Sequence, residues 1–317
     1  MFPGVTKRDV LDYYLAVAEP MVAQVGGRPT AIERWPEGVA PEREHFFQKH
    51  LPKSTPDYVT GLSVRFPSGR RGVLLNPDSA AAIAWAVQMN AVTFHAWPVR
   101  TPHLDSPDQL RIDLDPSPGR GWPDVLAVAL ACRELFTEWE WPSFVKTSGS
   151  RGVHIFVPIV PEGSFIDVRH AAIAVGRELE RRHPELVTTS WWKEERGERV
   201  FVDYNQNAQD RLMASAYSLR PTPDATVSMP VAWDELSEID AHDFTLRTVP
   251  DVVRGRPRDP WSGIDDAPVS LDRGLQAWDS DVAEGLPELP YPPDFPKMPG
   301  EPPRVQPSRA RSESSQD

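Results

Sequence analysis

Leu110-Arg111-Ile112-Asp113-Leu114-Asp115-Pro116 is the stretch on which the reading of this chain turns. On a strand, residues two apart project from one face, so Asp113 and Asp115 point the same way while Ile112 and Leu114 enter the core behind them. Carboxylates that close repel, and both stay ionised near neutrality only where a cation shares the site. The pair therefore asks for a divalent metal, although an acidic strand facing solvent would be spelled the same way.

Outward from this strand, Asp9 to Val25 carries apolar residues at helical spacing behind Thr6-Lys7-Arg8 and reads as one amphipathic helix. Gly61–Phe66 and Gly72–Leu75 read as a hairpin around Pro67-Ser68-Gly69, followed by an alanine-rich helix from Asp78 to about Asn90. Further strands are expected at Val92–His95, Leu110–Asp115, Phe144–Thr147, Val153–Ile159 and Arg199–Tyr204. Helices are expected from Pro123 to Trp139, Ile166 to Arg182 and Leu271 to Leu286. Strands and helices mix without a regular βαβ repeat, which predicts an α+β domain on antiparallel or mixed sheets flanked by helices. That domain is expected over residues 1–286. Residues 287–317 hold nine prolines and a serine-rich end, which predicts an extended or disordered tail.

The 317 residues are 40% hydrophobic, enough for a packed core. The longest wholly apolar run, Val125 to Cys132, is too short for a membrane span, and Met1-Phe2-Pro3-Gly4 opens no signal peptide. With a single cysteine, Cys132, the chain is expected in the cytoplasm, and its partners would place it at the nucleoid. The net charge of −12 argues at first against a polyanionic partner. Its distribution weakens that objection: residues 1–155 carry 16 Lys and Arg against 17 Asp and Glu, a net of −1, and residues 156–317 carry 18 against 29, a net of −11. Within residues 41–75, Arg43, Lys49, Lys53, Arg65, Arg70 and Arg71 surround Phe46 and Phe47, a mixture suited to phosphate contact and base stacking.

Three other motifs carry chemistry. Lys146-Thr147-Ser148-Gly149-Ser150-Arg151-Gly152-Val153-His154 is a glycine-bracketed turn between two strands, able to cradle an anion or to serve as an ordinary hairpin. Arg199-Val200-Phe201-Val202-Asp203-Tyr204 is an apolar strand ending in a carboxylate, and Tyr217-Ser218-Leu219-Arg220-Pro221 delivers an arginine before a turn. Three carboxylates can bridge two divalent ions, and cationic donors can hold a triphosphate in line. The reaction class suggested is nucleotidyl transfer.

Taken in order, Asp113-Leu114-Asp115-Pro116, Thr147 to His154, Val200-Phe201-Val202-Asp203-Tyr204 and Tyr217-Ser218-Leu219-Arg220 closely resemble the polymerase domain of bacterial ligase D, in the archaeo-eukaryotic primase superfamily. Asp12-Tyr13-Tyr14, Arg28-Pro29, Arg34-Trp35-Pro36, Phe46-Phe47, His95 and Trp233-Asp234-Glu235-Leu236 extend the resemblance over about residues 6–260, as in a stand-alone member. It implies that Asp113, Asp115 and Asp203 are catalytic and hold two Mn²⁺ or Mg²⁺ ions. It implies that Ser148, Gly149, Arg151, His154, Arg220 and His95 meet the incoming NTP or dNTP. Lys7, Phe46, Phe47, Lys49, Lys53, Lys193 and Arg196 would meet DNA, whether primer-template, gapped or broken ends. A monomer is expected, and a Ku-like end-binding protein or a separate ligase is left open as a partner.

Two departures stand out. Arg151 occupies a place where the family commonly has lysine, which keeps the charge and changes a point donor into a planar fork. Glu33 stands before Arg34-Trp35-Pro36 where end-joining members place a lysine for the recessed 5′-phosphate, and the family's N-terminal extension is missing before Lys7. The expectation is retained polymerase chemistry with weakened 5′-phosphate recognition. Other readings are a non-catalytic DNA-binding scaffold of the same fold, or a metal-dependent phosphodiesterase.

Overall fold

The computed structural model describes residues 1–291. Thr6 caps α1 (Lys7–Ala16): its hydroxyl accepts from the Asp9 amide while the Asp9 carboxylate accepts from the Thr6 amide. The single helix expected over Asp9–Val25 is two, because the chain breaks at Val17 before α2 (Ala18–Val25). Pro20 explains the break. It has no N–H for the Ala16 carbonyl and would crowd it, yet it fits the first turn of a new helix.

β1 (Thr30–Arg34) is the hub of a five-stranded antiparallel sheet, pairing with β2 (Phe46–Gln48), β4 (Arg71–Leu75) and β5 (Ala91–Ala96). β3 (Gly61–Arg65) completes the expected hairpin, with Arg65 opposite Arg71 and Gly69 at φ 81 in the turn, a backbone conformation that favours glycine. Helix α3 (Ala80–Gln88), capped by the Ser79 hydroxyl, leads into β5.

A six-stranded sheet follows. It is built from β6 (Gln109–Pro116), β7 (Phe144–Thr147), β8 (Val153–Pro158), β9 (Val187–Thr188) and β10 (Val200–Asp203). After the two-stranded ribbon of β11 (Ser218–Leu219) and β12 (Val227–Ser228), β13 (Pro230–Val231) joins this sheet, giving the order β13-β7-β8-β6-β10-β9. Every pairing in it is antiparallel except β9 with β10. Ile112, Leu114, Ile155 and Val202 turn to the apolar side and are fully buried. Helix α5 (Phe165–Arg182) lies there, with Gly176 allowing close approach to Val202, and α4 (Trp122–Glu138) packs beside it with Cys132 buried. Helices α6 (Val249–Gly255) and α7 (Asp272–Ala283) complete the set, and α7 packs on α5.

This is the expected α+β architecture. No helix among the described residues is long and apolar enough to cross a membrane. Of the proline-rich stretch expected to be extended or disordered, residues 287–291 lie against α5, and residues 292–317 fall outside the described residues.

Candidate active site

Strand register assembles the site. Asp113 of β6 lies directly opposite Asp203 of β10 on one side and His154 of β8 on the other, and His154 lies opposite Lys146 of β7. Opposed residues share a face of the sheet, so Asp203, Asp113, His154 and Lys146 form one transverse row, with Asp115 on the same face two residues further along. One ligand oxygen from each of Asp113, Asp115 and Asp203 lies within 4.8 Å of the others.

Each of these carboxyls is pushed toward its protonated form. Burial lifts Asp113 to about 6, against the opposing influence of Lys146 and Arg220. Asp115 rises to about 8, first through the charge on Asp113, then through partial enclosure and Asp203. Burial and Asp113 together lift Asp203 to about 6. Asp203 is held by the Asn205 amide at 2.9 Å and by the Gln206 side chain at 2.9 Å. Asp113 Oδ1 is buried without a hydrogen bond; His154 Nε2 stands 3.3 Å away but makes none to it. Lys146 steadies that imidazole from behind, its Nζ 2.6 Å from His154 Nδ1 and bonded to the Ser228 hydroxyl. Burial drives the Lys146 ammonium well below its ordinary value, Arg220 adding to the effect, and burial likewise lowers His154.

Asp113 and Asp115 open on a cavity of about 270 Å³ that Ser148, Ser150, Arg151, His154, Gln206, Leu212, Met213, Ala214 and Arg220 also line, with Asp203 outside its wall. Its glycine turn is tightly built. The Ser148 hydroxyl accepts the amides of Ser150 and Gly152, so these two N–H groups close the loop and do not point outward. Gly149 has φ 68, and a Cβ there would meet Arg220 and the β12 backbone; a Cβ at Gly152 would run into the Leu114 carbonyl. Arg220 arrives beside the glycine turn because the β11 ribbon is stitched to β5 and α1: the Ser218 hydroxyl accepts from the Phe94 amide at 2.8 Å, and the Tyr14 hydroxyl accepts from the Leu219 amide at 3.0 Å. Burial lowers the Arg220 pKa, and its Nε is buried without a hydrogen bond.

The remaining sequence-derived residues scatter around this centre. His95, on β5, is buried with both ring nitrogens free of hydrogen bonds, outside the cavity wall and edge-on to Phe47 at 5.4 Å. Glu33 does not project as a surface charge. It is buried, accepts from the Trp35 indole at 3.1 Å, and stands 3.7 Å from both His45 and His95. Phe46 and Phe47 are exposed on β2, Phe46 beneath the Arg34 guanidinium at 5.0 Å. Lys53 and Lys193 are exposed. Lys49 is paired with Asp210 at 2.8 Å, and Lys7 donates to the Gln88 carbonyl at 3.0 Å. Arg196 is folded back on the Ser190 and Trp191 carbonyls, 3.6 Å above the Phe201 ring. Trp191 packs against Phe201 and Tyr204. Sequence reasoning missed Lys146 and Gln206 as parts of the site. A lone lysine in the apolar run Phe144–Thr147 is a signal for the first; nothing marks the second.

Residues 6–261 match the family model described as LigD, primase-polymerase domain. The chain belongs to this family. The multifunctional non-homologous end joining protein LigD of Mycolicibacterium smegmatis is 34% identical over 237 residues, which is 74% of this chain and 31% of that protein. The corresponding protein of Mycobacterium tuberculosis (H37Rv) is 35% identical over 243 residues, 74% of this chain and 32% of that protein. The chain thus spans about a third of these curated relatives. Among solved structures, the polymerase domain of M. tuberculosis ligase D in complex with DNA superposes with a TM-score of 0.77 at 32% identity, covering 84% of this chain and 94% of that one. The ligase D primase-polymerase fold therefore holds for this chain.

Proposed function

We propose that this ligase D-type domain is a template-dependent nucleotidyltransferase that adds ribo- or deoxyribonucleotides to primer ends or short gaps during DNA repair. The observation that carries the reading is the carboxylate trio, of which Asp113 and Asp115 line a cavity that Arg151 and Arg220 also line. Three clustered carboxyls with raised pKa values, two of them raised in part by a neighbouring aspartate and one with an oxygen lacking any hydrogen bond, fit divalent cations, and Asp113, Asp115 and Asp203 would hold two Mn²⁺ or Mg²⁺. Such ions, when bound, acidify an attacking hydroxyl and offset charge on a leaving pyrophosphate.

The chain's own residues supply the rest. A primer 3′-oxygen attacks the α-phosphorus, and the bond to pyrophosphate breaks. Arg151 and Arg220 hold the triphosphate; Arg220, with its Nε unpaired, has a donor ready for it. Ser148 and Gly149 shape the turn, leaving the Ser148 proton to donate to a phosphate oxygen. Lys146 keeps His154 upright beside Asp113. His95 positions the nucleotide or the primer terminus, and Phe46 and Phe47 stack template bases. Lys7, Lys49, Lys53, Lys193 and Arg196 lie toward DNA; a phosphate at Lys49 would compete with Asp210.

Weakened dependence on a downstream 5′-phosphate follows from lacking a lysine at position 33, since the inward-turned Glu33 carboxylate meets histidines and not solvent. Gap extension is expected to change little when that phosphate is removed; a large drop would reverse this assignment. The central test is primer extension with Mn²⁺, comparing the unaltered chain with folded Asp113→Ala. Loss of incorporation supports nucleotidyl transfer, strand cleavage by the unaltered chain would favour the phosphodiesterase, and DNA retention without either would favour the scaffold.

A further inference from the structure

Arg169 sits in the second turn of α5, among the buried Phe165, Val168 and Ala172, with its side chain fully buried. A buried guanidinium is tolerated only where its donors and its charge are met. Here they are met from two directions. Its Nε donates to Asn205 Oδ1 at 2.8 Å, and its Nη atoms donate to Glu288 Oε1 at 2.7 Å, the Leu289 carbonyl at 2.7 Å and the Pro290 carbonyl at 3.1 Å. Its plane lies 5.2 Å from the Tyr204 ring and 5.0 Å from that of Tyr291.

Asn205 is the hinge between these directions. It is fully buried, and its Nδ2 donates to the Pro290 carbonyl at 2.9 Å while its backbone N–H donates to Asp203 Oδ1 at 2.9 Å. The second Glu288 oxygen is 2.7 Å from His170 Nε2, and that imidazole is stacked flat on Trp278 of α7 at 4.1 Å. Burial opposes the charge on Glu288, but the bonds from His170 and Arg169 hold its carboxyl below the ordinary value. The polar path thus runs Glu288, Arg169, Asn205, Asp203, and it ends on the third carboxylate of the site.

We propose that residues 287–291, which lie beyond the matched span of 6–261, act as a clasp that positions Asp203, so that the trio's hold on a divalent cation depends on this distal stretch. Glu288 is a positioning residue in this scheme, touching neither cation nor substrate. The physical reason is that the turn after β10 is held at two points: Asn207 ties its far end to the Arg111 backbone of β6, while the clasp and α5 hold Asn205, whose backbone N–H bonds the Asp203 carboxylate. Hydrogen-bond partners one step behind a ligand tune cation affinity in this way.

The proposal rests on the cation reading of the trio, and its test separates the two. Mn²⁺ is titrated into metal-free full-length chain, following free Mn²⁺ by electron paramagnetic resonance, for the unaltered protein, Glu288→Gln and Glu288→Ala. Glu138→Gln, which removes the α4 partner of Arg182 far from the site, serves as a control for loss of an ion pair. The expected result is a Kd for Mn²⁺ raised roughly tenfold by Glu288→Ala and less by Glu288→Gln, with the control unmoved. If Glu288→Ala does not fold, Glu288→Gln, which keeps the shape and an acceptor, decides. Normal Mn²⁺ uptake by the unaltered chain that the folded variants leave unchanged would overturn the clasp alone. Absence of uptake by the unaltered chain would overturn the cation reading, and the clasp with it.

Discussion

The two sheets build their functional surfaces differently. In the six-stranded sheet, Asp203, Asp113, His154 and Lys146 are aligned by the register of four adjacent strands, each buried and each touching the next or facing it. In the five-stranded sheet, Phe46 and Phe47 sit on a three-residue edge strand, while His95, opposite Ala31 in the β1–β5 pairing, reaches Glu33 and Phe47 with its side chain. The first surface is rigid because backbone pairing and chemistry share one framework. The second, proposed to meet bases, lies on an exposed edge strand.

This contrast can be broken at either end. Asp113→Ala should have the largest effect, lowering primer extension by about 10³-fold or more, because a lost cation site removes several kcal/mol of transition-state stabilisation. Single-turnover kinetics on the folded variant checks it, and a loss below tenfold would mean that the row is not the centre of the chemistry. Arg220→Ala comes next. It removes a charged donor worth about 1.5–3 kcal/mol, so the KM for nucleotide should rise by roughly 10- to 100-fold with Mn²⁺ affinity preserved. Phe47→Ala should weaken primer-template binding by about tenfold, the scale of one base stack, with no change in nucleotide KM in saturating DNA. Fluorescence anisotropy on labelled duplex measures this, and an equal loss of Mn²⁺ binding would dissolve the distinction between the sheets.

The smallest effect is a pH dependence of stability. Asp113 and Asp203 near 6 and Asp115 near 8 bind protons in the folded state that an unfolded aspartate has already released near 4. These three carboxyls therefore contribute stability that is lost as pH rises from about 4 toward 8, opposed by His154 and Lys146, whose lowered pKa values act with the other sign, and saturating Mn²⁺ should flatten the trio's share. Thermal melts in chelator at pH 5.5 and 8 test the sign, with roughly 2–4 °C expected for each kcal/mol of linkage. A change in melting temperature between pH 5.5 and 8 that Asp115→Asn leaves the same as in the unaltered chain would contradict it.

The same contrast explains what could be read before any coordinates. β6 announces itself because Ile112 and Leu114 alternate with Asp113 and Asp115, β8 because an apolar run follows His154, and β10 because an apolar run ends in Asp203. The meeting of Asp203 with Asp113 is not legible from spacing, since register depends on pairing between segments some ninety residues apart in sequence; it came through resemblance. β1 and β2 escaped because Thr-Ala-Ile-Glu-Arg and Phe-Phe-Gln are too short and too mixed to show a period, and their burial comes from neighbours. The break at Val17 was written in Pro20, but the apolar spacing continues across it and hides the interruption. Glu33 carries the same lesson: a charge read as facing solvent is turned inward because Trp35, His45 and His95 surround it.

Because one alignment of strands both closes the hydrophobic interior and gathers the acidic groups, a deletion of a single residue within β6 would invert the sheet's two faces at once, sending carboxylates inward and isoleucine outward. A chain that mispairs there cannot persist as a well-folded but inactive decoy. Anyone grafting this chemistry onto another scaffold would have to transplant the pairing of four strands, since the connecting loops alone carry too little of it.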